Sequence, residues 1–123
     1  MRKLSVSRDI DGKHGFILVD ISEIIYIEYD GIVNRVYVHT INDVFYTMGT
    51  LKYFVEGLNA SGFDFKLVDR NSAVHMDKIV RLDQKLKMAF FELEITKKSK
   101  CCTIANRNFP EVVRSLTNSI ILA

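Results

Sequence analysis

A succession of short β-branched and aromatic segments, cut every few residues by turn formers, constrains this chain most. "EIIYIEYDGIVNRVYVHTINDVFYTM", Glu23 to Met48, holds three such segments. Alternation in Glu23–Tyr29 predicts a strand with Ile25, Ile27 and Tyr29 on one face and Ile24 and Tyr26 on the other. Asp30-Gly31 is a turn signal, after which Val36 and Val38 share a face opposite Arg35, Tyr37 and His39. Asn42-Asp43 marks a second turn, and "VFYTM" a third strand. "GFILVDI", Gly15 to Ile21, reads as a strand that precedes them.

The period then changes. Leu51, Phe54, Val55 and Leu58 recur at helical spacing, with Thr50 placed to cap the helix and Gly62 to end it. Strand-like patterns resume in "FKLV", "KIVRLD", "KMAFFELEI" and "KCCTIA", with turns expected between Asp83 and Met88 and at "TKKSK". "NFPEVVRSL" reads as a short helix capped by Asn108, with Pro110 in its first turn and a stripe of Val112, Val113 and Leu116. The expectation is an all-β-dominated fold with one or two short helices. Residues 1–14 would form an N-terminal arm or first edge strand, and 15–123 the domain proper.

At 123 residues, 48% hydrophobic and 26% charged, the chain suits one globular domain with a core of its own. It lacks the apolar run of roughly 20 residues that spans a membrane and the apolar stretch of a secretory signal. Adjacent Cys101 and Cys102 make a poor disulfide framework, which suggests a cytoplasmic protein and leaves the "NAS" at Asn59 without meaning as a glycosylation site. One of the two cysteines should be a small core residue.

Enzymatic chemistries find little support. Ser72, His75 and Asp77 lie too close in sequence to converge as a triad, and Ser72 has no nucleophile-elbow glycines. His14, His39, His75 and the cysteines lack zinc spacing, and no phosphate loop is present. We therefore expect no catalysis, no cofactor and no metal.

Charge is more informative by position than in sum. Residues 1–63 carry 6 Lys and Arg against 8 Asp and Glu, whereas residues 64–123 carry 11 against 7. That excess suits either ordinary solvated faces or a basic surface for an anionic partner. Within it, Asp69, Arg70, Asn71 and Ser72 form a polar knot between two core-directed segments.

The order of "IIYIEYDG", "NDVFYTMGTLKYF", "GFDFKLVDRNSAVHMDKI" and "ANRNFPEV", from about Gly15 to about Leu116, resembles the LytTR DNA-binding domain of bacterial transcription regulators. Phe63, Arg70, Val74 and Ile79 stand where the family pattern expects them. Asp69, Asn71, Ser72 and His75 depart from its usual histidine, serine, aromatic residue and asparagine, and Asn106 replaces a serine before Arg107.

The resemblance implies an elongated antiparallel β-sandwich that reads successive major grooves of double-stranded DNA with loops rather than a recognition helix. It implies a response regulator output domain of a two-component system; a receiver domain usually precedes one and does not fit within residues 1–14, so the expectation is either a fragment of a longer regulator or a stand-alone member regulated otherwise. It implies pairs of copies, and so a possible homodimer, on promoter repeats. Carried onto this sequence, it makes Asn34, Arg70 and Arg107 base-reading residues, with Asn71 a neighbour in the second loop. Read without the resemblance, Asn34 is a turn residue, Arg70 a surface partner of Asp69, and Arg107 a solvated arginine beside a helix cap.

Arginine can donate twice to guanine O6 and N7, and asparagine can pair with adenine N6 and N7. Lys66, Lys78, Lys98 and Lys100 are the phosphate-contact candidates, with Arg81 and Lys97 beside them. Asp69 would either orient the Arg70 guanidinium or repel phosphate. The departures at Asp69, Ser72 and His75 also allow a second expectation: a protein–protein module that modulates a related regulator without reading DNA.

Overall fold

The computed structural model describes residues 2–116 and 120–123. Seven strands make a first sheet: β1 (Lys3–Ser7), β2 (Phe16–Asp20), β3 (Tyr26–Asp30), β4 (Arg35–His39), β5 (Val44–Thr47), β6 (Phe65–Asp69) and β7 (Ser72–His75). Their order across the sheet is β2-β1-β5-β4-β3-β7-β6, with every pairing antiparallel. β1 therefore lies inside the sheet, and β2 forms its edge with Phe16 and Leu18 exposed. A second sheet is made from β8 (Arg81–Asp83), β9 (Met88–Phe90), β10 (Cys101–Thr103) and β11 (Ile121–Leu122), in the order β10-β9-β8-β11. β11 runs parallel to β8, a departure from the antiparallel expectation.

Alternation along the strands supplies two cores, one on each face of the first sheet. Ile27 and Ala73, directly paired, join Val36, Val38 and Phe45 beneath α1 (Leu51–Ala60). Tyr26 and Val74, the next pair along, face the opposite way. There they meet Leu82, Ala89 and Cys102, one cross-strand row of the second sheet, together with Phe109 and Val112 of α2 (Phe109–Ser115). Cys102 is thus the core cysteine, its thiol pushed up to about 12 by burial. The Cys101 thiol is also raised by burial, so neither sulfur is an activated nucleophile.

The helices follow their sequence signals unevenly. Thr50 accepts the Tyr53 N–H at 3.1 Å and caps α1, while Gly62 takes φ 98° just past its end. Leu51, Phe54 and Leu58 are buried. Asn59 then brackets Phe65, donating to its carbonyl at 2.9 Å and accepting its N–H at 2.7 Å, which locks the helix end to the start of β6. Asn108 does not cap α2. It lies in the 3-10 turn Asn106–Asn108 that runs into the helix, and its side chain makes no capping bond.

Two strand expectations are corrected. The β3 alternation begins only at Tyr26, because Ile21–Glu23 form a 3-10 turn; Ile24 consequently joins the Ile27 core and Ile25 the Tyr26 core, the reverse of strict alternation. "KMAFFELEI" is a strand only as far as Phe90. Beyond it Phe91 is buried, but Leu93 is 75% exposed in a loop that runs to Lys100.

Buried His75 stacks on Phe65 at 4.3 Å, and its Nδ1 lies 2.7 Å from the Ile24 carbonyl. Ser72, three residues away on the same strand, faces the opposite side of the sheet, so the two do not form a catalytic pair. Burial pushes the His75 pKa below its ordinary value and outweighs the hydrogen bond to Ile24. The unfolded chain therefore takes up the proton first as pH falls through about 6.5. Stability should decline progressively from pH 7 to pH 5 in thermal melts, and His75→Asn should flatten that part of the curve.

Candidate nucleic-acid interface

Register places four connections at one end of the first sheet. Asp30 pairs with Arg35, Glu28 with Ser72, and Ser7 with both Phe16 and Tyr46. The β1–β2 loop, the β3–β4 turn, the β5–α1 link and the β6–β7 turn all leave from that rim. The polar knot resolves into the end of β6, a two-residue turn of Arg70 and Asn71, and the start of β7. Both turn residues are exposed, as is Asn34.

Three of the four base-reading candidates meet here. Asn34, Arg70 and Asn71 line one cleft of about 440 Å³ together with Tyr29, Gly49, Thr50 and Leu51. Asn34 has φ 55°, a left-handed conformation that asparagine tolerates better than most residues. Its side-chain Oδ1 accepts the Tyr29 hydroxyl at 2.8 Å, and its carbonyl accepts Arg35 Nη1 at 2.9 Å. The Tyr29 N–H donates to the Asn71 carbonyl at 2.8 Å and so joins the two turns.

Arg107 lies outside this cleft, exposed on the 3-10 turn before α2. The Ala105 N–H donates to the Val68 carbonyl at 2.7 Å, and Arg107 and Arg70 each stand two residues beyond that bond. Their Cα atoms are therefore within roughly 20 Å of each other.

Asp69 does not pair with the Arg70 guanidinium. Its Oδ1 accepts the Arg70 backbone N–H, so it shapes the turn. Asp69 also lines a groove of about 620 Å³ with Glu28 and Asp30, between β3 and the Cys101–Thr103 strand. The Tyr37 hydroxyl, 2.8 Å from Asp30 Oδ2, holds the Asp30 carboxyl below its ordinary value.

The phosphate candidates are not brought together. Lys66 lies on β6 with its ammonium 3.6 Å from Glu111, a half-exposed pair of small energetic value. Lys100 is committed inside the protein: its ammonium bonds the Asp43 carbonyl and lies 3.2 Å from His39 Nδ1. His39 itself stacks on Tyr26 at 4.2 Å and bonds Glu28 at 2.7 Å. Lys78, in the 3-10 turn after β7, shares a depression with Asn42 and Asp43, at the end of the sheet away from Asn34. Phe91 and Lys100 border Asp43 too, so the 91–100 loop carrying Lys97 and Lys98 springs from that same far end.

Sequence reasoning missed the β1–β2 loop. Asp9 accepts the N–H groups of Lys13 at 2.9 Å and His14 at 3.1 Å, and Arg35 Nε bonds the Ile10 carbonyl at 2.8 Å. Arg8, Lys13 and His14 are exposed on this loop beside the β3–β4 turn. Its signal is "RDIDGKHG", in which Asp9, Asp11 and two glycines have the chemistry of a loop. Among the described residues no group of three or more His, Cys, Asp or Glu is arranged to hold a metal, and no helix is long and apolar enough to cross a membrane.

The fold is similar to the LytTr DNA-binding domain of a putative methyl-accepting/DNA response regulator from Bacillus cereus. The TM-score is 0.67 at 14% identity, covering 94% of this chain and 96% of that one. A comparison with curated protein sequences gave no match. The family model for the LytTr DNA-binding domain matches residues 14–116, nearly the span over which the sequence motifs resemble it. With that match covering most of its length, the chain belongs to the LytTR family of DNA-binding domains.

Proposed function

We propose that this domain binds double-stranded DNA sequence-specifically and reads major grooves with its rim turns. The observation that carries the proposal is the grouping of exposed Asn34, Arg70 and Asn71 around one cleft, on turns anchored to a sheet buried on both faces. Arg70 and Arg107 supply forked donors for guanine O6 and N7, worth about 1–3 kcal/mol of discrimination for each good pair. Two copies engage two half-sites, as befits a regulator acting on promoter repeats.

Asn71 shares the β6–β7 turn and contacts the base beside the one that Arg70 reads. Lys66, four residues before Arg70 and paired with Glu111, is the phosphate candidate on the flank that carries Arg107, and Lys13 is added at the rim. Lys78 and Lys100 belong to the other end.

Titration of duplex promoter DNA at several salt concentrations tests this. We expect log affinity to fall with log salt and one sequence to be preferred. Binding without preference would leave only nonspecific attraction; no binding even at low salt, beside a stable complex with another regulator, would favour the protein–protein function. Arg70→Ala and Arg107→Ala should each flatten preference at particular base positions. Lys13→Ala should weaken all sequences alike and reduce the salt slope by about 1, whereas Lys78→Ala should change neither.

Asp69→Asn keeps an acceptor for the Arg70 N–H while removing a negative charge near the duplex. Its expected effect in the same titration is tighter binding to every sequence with unchanged preference.

A further inference from the structure

Arg35 opens β4 directly after the turn that carries Asn34, half-buried, and its guanidinium donates to backbone carbonyls of two different loops. Nη1 donates to the Asn34 carbonyl at 2.9 Å and to the Val33 carbonyl at 3.3 Å, both in the β3–β4 turn. Nε donates to the Ile10 carbonyl at 2.8 Å, 25 residues away in the β1–β2 loop. One planar fork therefore holds the two loops at a fixed separation, which the single ammonium of a lysine is not shaped to do.

Both loops depend on being held. Asn34 keeps φ 55°, a conformation that costs a non-glycine residue free energy and persists where its surroundings fix it. Arg35 on the Asn34 carbonyl and Tyr29 on its side chain supply that fixing. Beneath the β1–β2 loop lies a hollow of about 370 Å³, lined by Ile10, Asp11 and Gly12 from the loop and by Tyr46 and Thr47 from β5. Packing therefore does little to seat the middle of the loop, and Arg35, which also lines the hollow, ties it to the sheet. Asp9 shapes the same loop from within, through the N–H groups of Lys13 and His14.

We propose that Arg35 is a positioning residue that couples the two loops, so that the β1–β2 loop, with Lys13 as its phosphate contact, sets the base preference of Asn34 through the shared guanidinium. The proposal deepens the DNA-reading function put forward above and rests on it.

Selection of bound duplexes from a random pool, run on the whole chain with a thermal melt of each protein, tests it. Asn34→Gly, which tolerates φ 55°, identifies the position that Asn34 reads. Arg35→Met keeps the apolar stem without the donors, and Arg35→Lys keeps the charge without the fork. Each should lower preference at that position by about fivefold, roughly the worth of one hydrogen bond, and leave the position read by Arg70 unchanged. Asp9→Ala, which loosens the loop while Arg35 stays in place, should lower preference at the same position. That variant decides the matter if the Arg35 variants lose their cooperative melt. Wild-type preference in Arg35→Lys would reduce the role to charge and overturn the proposal. So would equal weakening of all sequences in Arg35→Met, the mark of a phosphate contact, or an unaltered base distribution in Asp9→Ala. If Asn34→Gly shifts no position while Arg70→Ala does, the proposal falls and DNA reading stands. If the wild type selects no sequence at all, both fall together.

Discussion

The arrangement of this domain depends on β3 being buried on both faces. Ile27 enters the core beneath α1 and Tyr26 enters the core shared with the second sheet, while β4 and β7 occupy both edges of the strand. Full burial of an Ile side chain contributes about 1.5–3 kcal/mol. A one-residue slip would exchange the faces and move Glu28 from His39 to the core beneath α1, where an unpaired carboxylate costs more than the isoleucine gains. Register is therefore fixed, and with it the neighbours of each turn. The β3–β4 turn and the β6–β7 turn stand side by side because Glu28 is opposite Ser72 and Asp30 opposite Arg35.

Sequence periodicity was readable wherever one period ran unbroken. Val36 and Val38 are buried opposite half-exposed Arg35, Tyr37 and His39, and the α1 stripe with its Thr50 cap is as spaced. It misled wherever a 3-10 turn interrupted the count. At Ile21–Glu23 such a turn reverses the facing of Ile24 and Ile25, and at Asn106–Asn108 it leaves Asn108 in the N-cap position with helical backbone and no side-chain capping bond. A run as apolar as "KMAFFELEI" fits a strand at every position. Yet β9 has partners only for Met88–Phe90, since β8 and β10 are three residues each, and an unpaired continuation has no ladder to hold it extended.

The residues of the site were legible as types and not as an assembly. "DRNS" and "DGIVN" show turn chemistry rich in hydrogen-bonding groups, but their meeting across Tyr29 requires the pairing of strands more than 30 residues apart. Charge was the poorest guide. The excess of lysine in the second half suggested one basic surface, and folding disperses it: Lys66 beside Glu111, Lys100 against His39 and Asp43, Lys78 at the far end of the sheet. A residue count treats those ammonium groups alike. Burial lowers the pKa of Lys100, and its ammonium is engaged by the Asp43 carbonyl and His39.

The acids at the rim make sense by the same logic. Each of three loops there is organised by an aspartate that accepts backbone N–H groups: Asp9 from Lys13 and His14, Asp30 from Ile32, Asp69 from Arg70. A charged acceptor makes a stronger bond than a neutral one and holds a short loop in one shape. The cost is negative charge near the place where a polyanion would approach. Exposed charges are screened beyond about 8 Å at physiological salt, so that cost is local. In the two-residue turn Arg70 is exposed, and its guanidinium carries five donors in a planar fork beyond the carboxylate that shapes the turn. A rigid turn with an acid at its base and an arginine at its tip therefore suits selective contact with bases better than broad attraction to phosphate. The small net charge of +2 fits that balance.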